Sequence, residues 1–492
     1  MKIVFATSEA VPFAKTGGLA DVSGTLPLAL ARRGHQVTVI LPAYRHVHLC
    51  GMPIRPLGIE FIVQVGSKTV SGHLLESVHP HLPVSFILIR QDYYYDREEL
   101  YSFNGQDYAD NCERFVFLSR GVMESIRLLD LQPDIIHAND WQTGLVPAYL
   151  KIEYGPMPPY QNAASIFTVH NMAYQGQFWH WDMLLTGLDW KYFNWRQMEF
   201  YGKLNLLKTG FVFADAITTV SPRYAQEIQT PEFGYGLEGI LRERRDDLFG
   251  ILNGVDYEIW NPDVDKLIAV NYGPENVRWG KPQCKRALQE AVGLPCHERV
   301  PLIGMIGRLA EQKGFDLVAD LLETHIDAFE AQWVILGAGD PGLQDRFRGL
   351  AERHPDRVAV RVERSEQMAH QIIAGSDMFL MPSRFEPCGL TQMYSLKYGT
   401  VPIVHETGGL ADTITDTNEA TLSAGSANGF VFHVPEVYAM NEALHRAIEA
   451  YHNPEVWDRI VAVGMRQDWS WDRSARQYEE LYERTRARRG NT

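Results

Sequence analysis

The residues Thr16-Gly17-Gly18-Leu19-Ala20-Asp21 occur a second time, as Thr407-Gly408-Gly409-Leu410-Ala411-Asp412. Each copy follows an apolar run that predicts a strand, Ile3–Thr7 before the first and Val401–Val404 before the second. A Gly-Gly pair lets the backbone approach a ligand closely, and the N–H groups at the start of the following helix carry partial positive charge. Lys15 precedes the first copy and adds a full charge. A tight turn would explain either pair alone, but the repetition favours one phosphate-bearing ligand shared by two similar halves.

Apolar runs alternate with amphipathic stretches through both halves of the chain. The predicted strands are Ile3–Thr7, Gln36–Leu41, Phe61–Val65, Val84–Ile89, Asp134–His137, Ser165–Val169, Ala216–Val220, Val300–Ile306, Trp333–Leu336, Val358–Val362, Met378–Met381 and Val401–Val404. The predicted helices of the second half are Phe315–Phe329, Leu343–His354, Glu366–Ala374 and Leu390–Tyr398. This alternation predicts an α/β fold with two doubly wound halves. The glycine spacing differs from G-x-G-x-x-G, so a nicotinamide dinucleotide is not implied.

The length of 492 residues also predicts two domains, since one domain usually spans roughly 100–200 residues. We expect the first domain at residues 1–252 and the second at residues 257–468. Between them, Asn253-Gly254 is expected to form a turn, and residues 257–298 are polar and expected to be irregular. Residues 469–492 form a helix-like tail.

The charge balance excludes several classes of partner. With 46 Lys and Arg against 61 Asp and Glu, the net charge is −15, which argues against nucleic acid and anionic membrane as partners. An anionic substrate therefore requires a local cluster of cations. The N-terminus has no signal-peptide pattern and no run approaches the roughly 20 apolar residues of a membrane span, so we expect a cytoplasmic protein. The five cysteines show no CxxC spacing, which makes disulfides and structural zinc improbable.

Polar pairs follow two of the predicted strands in the first half. Asp140-Trp141 comes after one strand and His170-Asn171 after another. Ligands of open α/β sheets bind beyond the carboxyl ends of the strands, so both pairs are placed for a site.

The second half contains cations and one carboxylate in comparable loops. Arg308 and Lys313 lie five residues apart after a predicted strand, a spacing that suits a diphosphate. Glu386 precedes Pro387, which can occupy a first helical turn, so the N–H groups of Cys388 to Thr391 would face the same ligand as Glu386. A carboxylate that binds sugar hydroxyls beside an anion-binding helix start fits a nucleotide sugar. Surface charges and a helix cap are the alternatives for these residues.

Residues 174–201 are dense in aromatic side chains. They are Tyr174, Phe178, Trp179, Trp181, Trp190, Tyr192, Phe193, Trp195, Phe200 and Tyr201. Exposed rings could stack on sugars, but we expect most of them to fill a helical subdomain.

Six motifs in matching order resemble the bacterial glycogen synthases, the ADP-glucose-dependent relatives of plant starch synthases. The motifs are Lys15–Asp21, His170-Asn171, Leu252–Asp256, Gly307-Arg308 with Lys313-Gly314, Glu386–Gln392 and Thr407–Asp412. The resemblance implies a GT-B fold, with two Rossmann-like domains facing across a deep cleft and the last helix packing back on the first domain. It implies transfer of glucose from ADP-glucose to the non-reducing end of an α-1,4-glucan, with retention, by a monomer or small homo-oligomer that uses no metal or other cofactor.

The resemblance also implies a role for each matching residue. In the first domain, Lys15, Gly17, Gly18 and Asp21 would bind the donor. In the second, Arg308 and Lys313 would neutralise the diphosphate while Glu386 binds glucose hydroxyls. His170 would lie beside the anomeric centre and complete the catalytic set with Arg308, Lys313 and Glu386. The remaining substrate-binding residues would be Cys388, Gly389, Leu390, Thr391, Thr407, Gly408 and Gly409 around the donor, Asn171 and Asn253 near the reacting sugar, and Tyr95, Asp140 and Trp141 on the acceptor side.

Three positions depart from the expected pattern. Tyr394 replaces a second glutamate that the wider superfamily often has, as in the glucan-synthase branch, and Asn139 stands where relatives commonly have histidine. Arg364 stands where an aromatic residue is expected to stack on adenine, which leaves the preference between ADP-glucose and UDP-glucose open.

Other functions are therefore weighed against this one. A UDP-glucose-dependent or sucrose-forming transferase would share the fold, whereas a glucan phosphorylase would need a lysine-bound cofactor and a much longer chain. A non-catalytic glucan-binding protein is the alternative from another class, and the intact Lys15, Arg308, Lys313 and Glu386 speak against it.

Overall fold

The computed structural model describes residues 1–490, and the chain divides into two compact units. The first unit comprises Met1–Gly254 and the segment that begins at Trp471, and the second comprises Val255–Ser470. Residues 491–492 of the predicted tail lie outside the described residues. Within the described part, no helix combines the length and the apolar composition that crossing a membrane requires.

The first unit is built on a nine-stranded sheet with the order β14-β13-β9-β8-β1-β2-β5-β4-β3. Its strands from β14 to β5 are parallel, and β4 and β3 add an antiparallel hairpin at one edge. The strands of this unit are β1 (Lys2–Ala6), β2 (Gln36–Pro42), β3 (Arg55–Val65), β4 (Lys68–Val78), β5 (Val84–Arg90), β6 (Ser102–Phe103), β7 (Gln106–Asp107), β8 (Ile135–Asn139), β9 (Ala164–Val169), β10 (Gln177–Trp179), β11 (Glu199–Phe200), β12 (Lys203–Asn205), β13 (Ala216–Thr219) and β14 (Leu248–Gly250).

Helices connect the parallel strands of this sheet, because a parallel pair needs a crossover connection. They are α1 (Gly18–Arg32), α2 (Asp92–Tyr95), α3 (Asn111–Leu128), α4 (Leu145–Tyr149), α5 (Met183–Thr186), α6 (Leu206–Phe213), α7 (Pro222–Glu227), α8 (Pro231–Gly234) and α9 (Glu238–Glu243). β1, β8 and β9 are almost completely buried, which explains why their sequences read as continuous apolar runs.

The second unit has a six-stranded parallel sheet with the order β17-β16-β15-β18-β19-β20. Its strands are β15 (Leu302–Ile306), β16 (Gln332–Leu336), β17 (Val358–Arg361), β18 (Met378–Met381), β19 (Val401–His405) and β20 (Phe430–Phe432). Its helices are α10 (Val277–Val292), α11 (Phe315–His325), α12 (Pro341–Arg353), α13 (Glu366–Gly375), α14 (Thr391–Lys397), α15 (Gly408–Thr413), α16 (Glu419–Ala424), α17 (Val437–Tyr451) and α18 (Pro454–Arg466). Both units thus have the doubly wound parallel architecture that the alternating pattern predicts.

The last helix, α19 (Trp471–Gly490), packs on α1 and β9 of the first unit. Tyr482 is buried and its hydroxyl lies 2.7 Å from Nδ1 of His137 on β8. Glu479 accepts hydrogen bonds from Arg33 at the end of α1 and lies 2.9 Å from Nε2 of His35. A buried polar contact and surface ion pairs therefore hold α19 to the unit in which the chain begins.

Two local predictions around the unit boundary are wrong. The segment 257–298 contains α10, whose Gly280, Cys284, Leu288 and Val292 lie four residues apart and are all buried on one face. Gly254 does not supply a left-handed turn. A Cβ there would overlap the backbone of Trp471, so this glycine permits close packing of two chain segments.

Candidate active site

The glycine loop of the first unit is held by a buried carboxylate that follows β1. Glu9 accepts hydrogen bonds from the N–H of Thr16 at 2.5 Å and of Gly17 at 3.3 Å. It also accepts from the hydroxyls of Thr16 at 2.6 Å and of Tyr101 at 2.6 Å. These contacts fix the backbone of the loop from behind. Sequence reasoning missed Glu9, although an acidic residue just past a strand end was a usable signal.

The outer side of the same loop is open. A Cβ built on Gly17 or Gly18 would meet no heavy atom of the described structure within 4 Å. Lys15 lies close by and its Nζ contacts Oδ1 of Asp21 at 2.7 Å, with both side chains partly exposed. The loop therefore leaves room for a ligand against its backbone, with a cation beside it.

At the ends of β8 and β9, the structure brings together Asp140 and His170. Oδ1 of Asp140 accepts a hydrogen bond from the backbone N–H of His170 at 2.7 Å. Asp140 has a φ of +55°, a sparsely populated backbone conformation that tends to occur at functional sites. β8 and β9 are adjacent strands, so the two polar pairs lie together at the carboxyl edge of the sheet, and their binding of a substrate stays a prediction.

The imidazole of His170 is held as a neutral ring in one tautomer. Nδ2 of Asn139 donates to the carbonyls of Ala6 and His137, so Oδ1 of Asn139 faces Nε2 of His170 at 3.0 Å. Nε2 therefore carries the proton and Nδ1 carries a lone pair. Burial lowers the pKa of His170 to about 3. Burial raises the pKa of Asp140 to about 7, opposed by the hydrogen bond from His170 N–H.

Tyr95 does not belong to a substrate surface. Its side chain is completely buried, and its hydroxyl donates to the carbonyl of Arg114 at 2.9 Å. It packs against Tyr44 and Phe117. The prediction that it lines the acceptor side is corrected, because a ring in this position cannot contact a glucan. Trp141 is also mainly a packing residue, lying between Phe115 and Phe178.

In the second unit, two predicted catalytic residues form an ion pair. Nζ of Lys313 contacts Oε2 of Glu386, and the hydroxyl of Ser383 donates to the same oxygen at 3.1 Å. Glu386 is buried and Lys313 is partly exposed. A buried carboxylate beside a partly exposed ammonium forms a compact site for polar groups of a sugar and of a phosphate.

The loop that carries Lys313 is fastened to the loop that carries Glu386. Both Nη atoms of Arg384 donate to the carboxylate of Asp316, at 2.8 and 2.6 Å. The backbone N–H of Arg384 donates to the backbone carbonyl of Gln312. Arg308 is exposed after β15, and its Nη2 donates to Oε1 of Gln312 at 3.2 Å. Gln312 thus connects Arg308 to the same pair of loops.

Pro387 lies in the loop that precedes the helix after Glu386. Pro387 does not occupy a first helical turn, because α14 starts only at Thr391. Residues 386–390 form a loop in which Gly389 adopts a φ of +69°. Cys388 is buried, whereas Leu390 and Thr391 are half-buried. The loop that carries Cys388 and Leu390 turns at Gly389, whose positive φ favours glycine.

The second glycine pair is used differently from the first, which corrects the prediction that both face a ligand alike. A Cβ on Gly408 would overlap the carbonyl of Glu386, and one on Gly409 would overlap the carbonyl of Cys388. The N–H of Gly409 already donates to the carbonyls of Glu386 and Pro387 at 3.2 Å. These glycines let β19 and α15 pack against the Glu386 loop.

Other predicted binding residues offer buried polar atoms that could meet a ligand. Within the described structure, Oδ1 of Asn253 and Oγ1 of Thr407 are buried and have no hydrogen-bond partner. Buried polar atoms in proteins are normally paired, so these two oxygens are exceptions to that rule. Asn171, in contrast, uses Oδ1 to accept the N–H of Ala173.

The two doubly wound units define the class of protein. A sequence model of the starch synthase catalytic domain matches residues 2–243, and one of the group 1 glycosyl transferases matches residues 293–460. With parallel Rossmann-like sheets in both units, the chain is a glycosyltransferase of the GT-B class, as the resemblance of its motifs implies.

Relatives of similar length identify the family. The glycogen synthase of Rhodopirellula baltica is 45% identical over 99% of this chain and 98% of its own length. The glycogen synthase of Anaeromyxobacter sp. is 46% identical over 98% of this chain and 99% of its own length. The chain therefore belongs to the bacterial glycogen synthase family, and it is a retaining hexosyltransferase.

Solved structures agree with this assignment. The catalytic domain of Starch Synthase IV from Arabidopsis thaliana, bound to ADP and acarbose, matches with a TM-score of 0.90 and 35% identity over 99% of both chains. Sucrose-phosphate synthase from Thermosynechococcus elongatus matches with a TM-score of 0.59 at 15% identity, which shows a common fold.

Proposed function

We propose that this enzyme transfers glucose from ADP-glucose to the non-reducing end of an α-1,4-glucan, with retention at the anomeric carbon, and so elongates glycogen. The observation that carries the proposal is the Lys313–Glu386 pair beside Arg308, in a chain that is similar to glycogen synthases over nearly its whole length. The related Arabidopsis structure supports ADP as the nucleotide, since it is bound to ADP.

Transfer requires stabilisation of opposite charges at the bond that breaks. Cleavage of the anomeric C–O bond develops positive charge on the sugar and negative charge on the departing diphosphate. Lys313 has three N–H donors, so it can keep Glu386 and still bind a phosphate oxygen. Arg308 supplies a second cation, and Glu386 holds sugar hydroxyls. Lys15, Gly17 and Gly18 complete the donor contacts.

The units divide these tasks. Residues 1–252, with the tail from residue 469, contribute the acceptor side and His170, and residues 257–468 bind the nucleotide sugar. Asp140 carries the acceptor contacts assigned to this side, and Asn253 lies near the reacting sugar. The cytoplasmic location and the assignment as a monomer or small homo-oligomer stay predictions, to be checked by fractionation and by light scattering.

Retention is proposed to arise from attack on the same face from which ADP departs. A covalent route would need Glu386 as the nucleophile, and its Oε2 is already engaged by Lys313 and Ser383. Mass spectrometry of the enzyme quenched during turnover should show no glucosyl adduct. An adduct on Glu386 would replace this mechanism with double displacement.

ADP release, measured in a coupled assay with ADP-glucose and glycogen, tests the activity. We expect ADP release that requires both ADP-glucose and glycogen. With UDP-glucose as the donor, the release of UDP, followed in an assay for UDP, should be much slower. Arg308→Ala should lose most of the rate, whereas Arg348→Ala, an exposed arginine on α12, should retain it. Equal rates with the two donors would favour the UDP-glucose alternative, and no release with either would favour a non-catalytic glucan-binding protein.

A further inference from the structure

In the second unit, the side chain of Trp260 lies between two other rings. Its indole stacks on the imidazole of His370 with a centroid distance of 3.7 Å and an interplanar angle of 13°, and on the ring of Tyr394 at 4.1 Å and 6°. Aromatic pairs usually prefer offset or edge-to-face contacts with centroids about 4.5–7 Å apart. A face-to-face arrangement this close is therefore held by the surrounding structure. We name Trp260, His370 and Tyr394 the ring stack.

The ring stack joins three parts of the chain that are separate in sequence. Trp260 belongs to the segment that precedes α10, His370 lies on α13, and Tyr394 lies on α14. Tyr398, one helical turn after Tyr394, contacts the same indole edge-on, with a centroid distance of 6.4 Å and an angle of 67°. Residues four positions apart share one face of a helix, so Trp260 packs along one face of α14.

A buried carboxylate anchors the ring stack. Oδ2 of Asp265 accepts hydrogen bonds from Nδ1 of His370 at 2.7 Å and from the hydroxyl of Tyr398 at 2.6 Å. Oδ1 of Asp265 accepts the N–H of Leu267 at 2.8 Å. Asp265, His370 and Tyr398 are all buried. Asp265 follows Trp260 in the same segment, so these hydrogen bonds fix both α13 and α14 against that segment.

The histidine at position 370 is explained by its flat face. Its Nδ1 satisfies Asp265, but its Nε2 is buried and has no hydrogen-bond partner in the part of the chain that the structure describes. Buried polar atoms are normally paired, so the second ring nitrogen is a cost. An asparagine could donate to Asp265 without that cost. The imidazole adds the surface on which Trp260 stacks.

The helix that carries Tyr394 also holds the loop of residues 386–390. The backbone N–H of Tyr394 donates to the carbonyl of Leu390 at 3.0 Å. The side-chain amide of Gln392, in the first turn of the same helix, donates to the carbonyl of Cys388 at 3.0 Å. A displacement of α14 would therefore be transmitted to this loop.

We propose that Trp260 and His370 are positioning residues for the donor. By stacking on Tyr394 they set the position of α14, and through α14 they set the position of the loop 386–390. The inference rests on the proposed function, which assigns this loop to the nucleotide sugar. Trp260 and His370 act through Tyr394 without a contact to substrate, so their loss should weaken the use of ADP-glucose and leave the use of glycogen unchanged.

Steady-state kinetics of Trp260→Leu test the proposal. KM for ADP-glucose should rise about tenfold or more, because a displacement of about 1 Å is enough for a loss of this size, while KM for glycogen stays within about twofold of the wild-type value. Trp260→Phe keeps a flat ring and should restore KM for ADP-glucose to within about threefold. Trp279→Leu is the matched control, since Trp279 is a 58% exposed tryptophan on α10 of the same unit. A wild-type KM for ADP-glucose in Trp260→Leu would overturn the proposal.

His370→Asn is the second variant, for the case that Trp260→Leu does not fold. Asparagine can donate to Asp265 but has no ring, so stacking is lost while the hydrogen bond is kept. The same rise in KM for ADP-glucose is expected, with the assay run well below the thermal unfolding midpoint. A less stable variant with the wild-type KM would show that the ring stack only packs the fold. Failure of both variants to fold would likewise reject the positioning role.

Hydrogen exchange followed by mass spectrometry locates the effect in the chain. In Trp260→Leu and His370→Asn, the backbone amides of residues 386–397 should exchange about tenfold faster than in the wild type, because the helix start is no longer held. The amides of α12 should exchange at the wild-type rate. Equal acceleration throughout the second unit, or none in residues 386–397, would contradict the proposal.

Binding of ADP, measured by isothermal titration calorimetry, separates this inference from the proposed function. Kd for ADP should rise about tenfold in Trp260→Leu, and this comparison needs no turnover. If the wild type transfers no glucose but the variant loses affinity for ADP, the positioning role stands and the proposed function fails. If the wild type transfers glucose and the variant binds ADP with the wild-type Kd, the positioning role alone fails. A wild type that binds no ADP would contradict both.

Discussion

At the scale of single residues, Lys313 has two tasks that substitution can separate. It neutralises the buried carboxylate of Glu386, and it is proposed to bind the departing diphosphate. Lys313→Ala should lower kcat by about 10²–10³-fold, the range for removal of one transition-state donor. A coupled ADP-release assay measures this loss.

The control for that variant is Lys266→Ala, an exposed lysine of the second unit that should leave kcat unchanged. Because Lys313→Ala also removes the partner of Glu386, its thermal unfolding midpoint should fall, and Lys313→Arg should restore the midpoint more fully than the rate. A kcat near the wild-type value in Lys313→Ala would refute the assigned role.

His137 should make the fold sensitive to acid. Burial, together with the nearby His170, lowers the pKa of His137 to about 3, whereas an unfolded histidine titrates near pH 6.5. Between these values the unfolded chain binds a proton that the folded chain does not. The contribution of His137 to the free energy of unfolding therefore falls with the pH, by about 2 kcal/mol between about pH 6.5 and 5. His170, whose pKa burial also lowers to about 3, acts in the same direction. Asp140 acts in the opposite direction between about pH 4 and 7, because its folded-state pKa is raised.

Thermal unfolding of wild type and His137→Gln at the two pH values measures this contribution. The variant retains Asp140 and His170, so the comparison isolates His137. We expect the midpoint of the variant to fall by fewer degrees on acidification than that of the wild type. An identical fall in both proteins would show that His137 is protonated in the folded state.

Strand ends were predictable from the sequence, and Asp140, His170, Lys313 and Glu386 all lie in segments that follow buried strands. Their roles toward a substrate stay predictions. The solvent exposure of individual side chains could not be predicted from the sequence. Tyr95 sits in a motif that reads as a surface loop, yet its ring fills the core above Arg114. Glu9 and Asn139 act by orienting other groups, and such roles become visible only as hydrogen bonds.

At the scale of elements, two identical hexapeptides have different surroundings. The first glycine pair is open on its outer side, whereas the second packs against the Glu386 loop. Gly409→Ala should therefore reduce the free energy of unfolding by about 3 kcal/mol or more, because the methyl group overlaps a backbone carbonyl. Gly17→Ala should change it by less than about 0.5 kcal/mol.

The two variants also differ in their expected effect on activity, which makes them controls for each other. Gly17→Ala should raise KM for the donor, because the added methyl group occupies space assigned to the ligand. Calorimetry and steady-state kinetics on both proteins check the pair. A stable Gly409→Ala protein, or a destabilised Gly17→Ala protein, would contradict the packing described.

The attachment of α19 depends on a contact between elements that are distant in sequence. Tyr482→Phe removes the hydroxyl that pairs with His137 and should cost about 1–2 kcal/mol, since it leaves a buried polar atom unpaired. Tyr438→Phe, at a 68% exposed position, should cost nothing measurable. Equal melting temperatures for the two variants would show that the contact does not stabilise the fold.

The strands and helices of the parallel sheets were predictable because buried parallel strands have continuous apolar sequences. Elements with weaker sequence patterns were not predictable in this way. The polar composition and Pro282 concealed α10, although its apolar positions four residues apart were a usable signal. The prediction that most aromatic side chains of residues 174–201 fill an interior is wrong, since none of the ten is buried. Aromatic density in a sequence is compatible with a core and with a surface, and only the solvent exposure distinguishes them.

At the scale of the whole molecule, the similarity to glycogen synthases covers both units, so a function assigned to one half alone would leave the other unexplained. Family membership was predictable because six short motifs occur in the right order, each too weak to identify the family alone. The preference between ADP-glucose and UDP-glucose was not predictable, because Arg364 stands where an aromatic residue was expected to stack on the base.

The most direct test of the central claim is the position and linkage of the transferred glucose. Maltohexaose is incubated with enzyme and ADP-glucose labelled in the sugar, and the product is digested with β-amylase, which removes maltose from non-reducing ends of α-1,4-glucans. We predict that the label is released as maltose in the first cleavage. A labelled product that resists β-amylase, or the absence of labelled product, would contradict retained transfer to the non-reducing end.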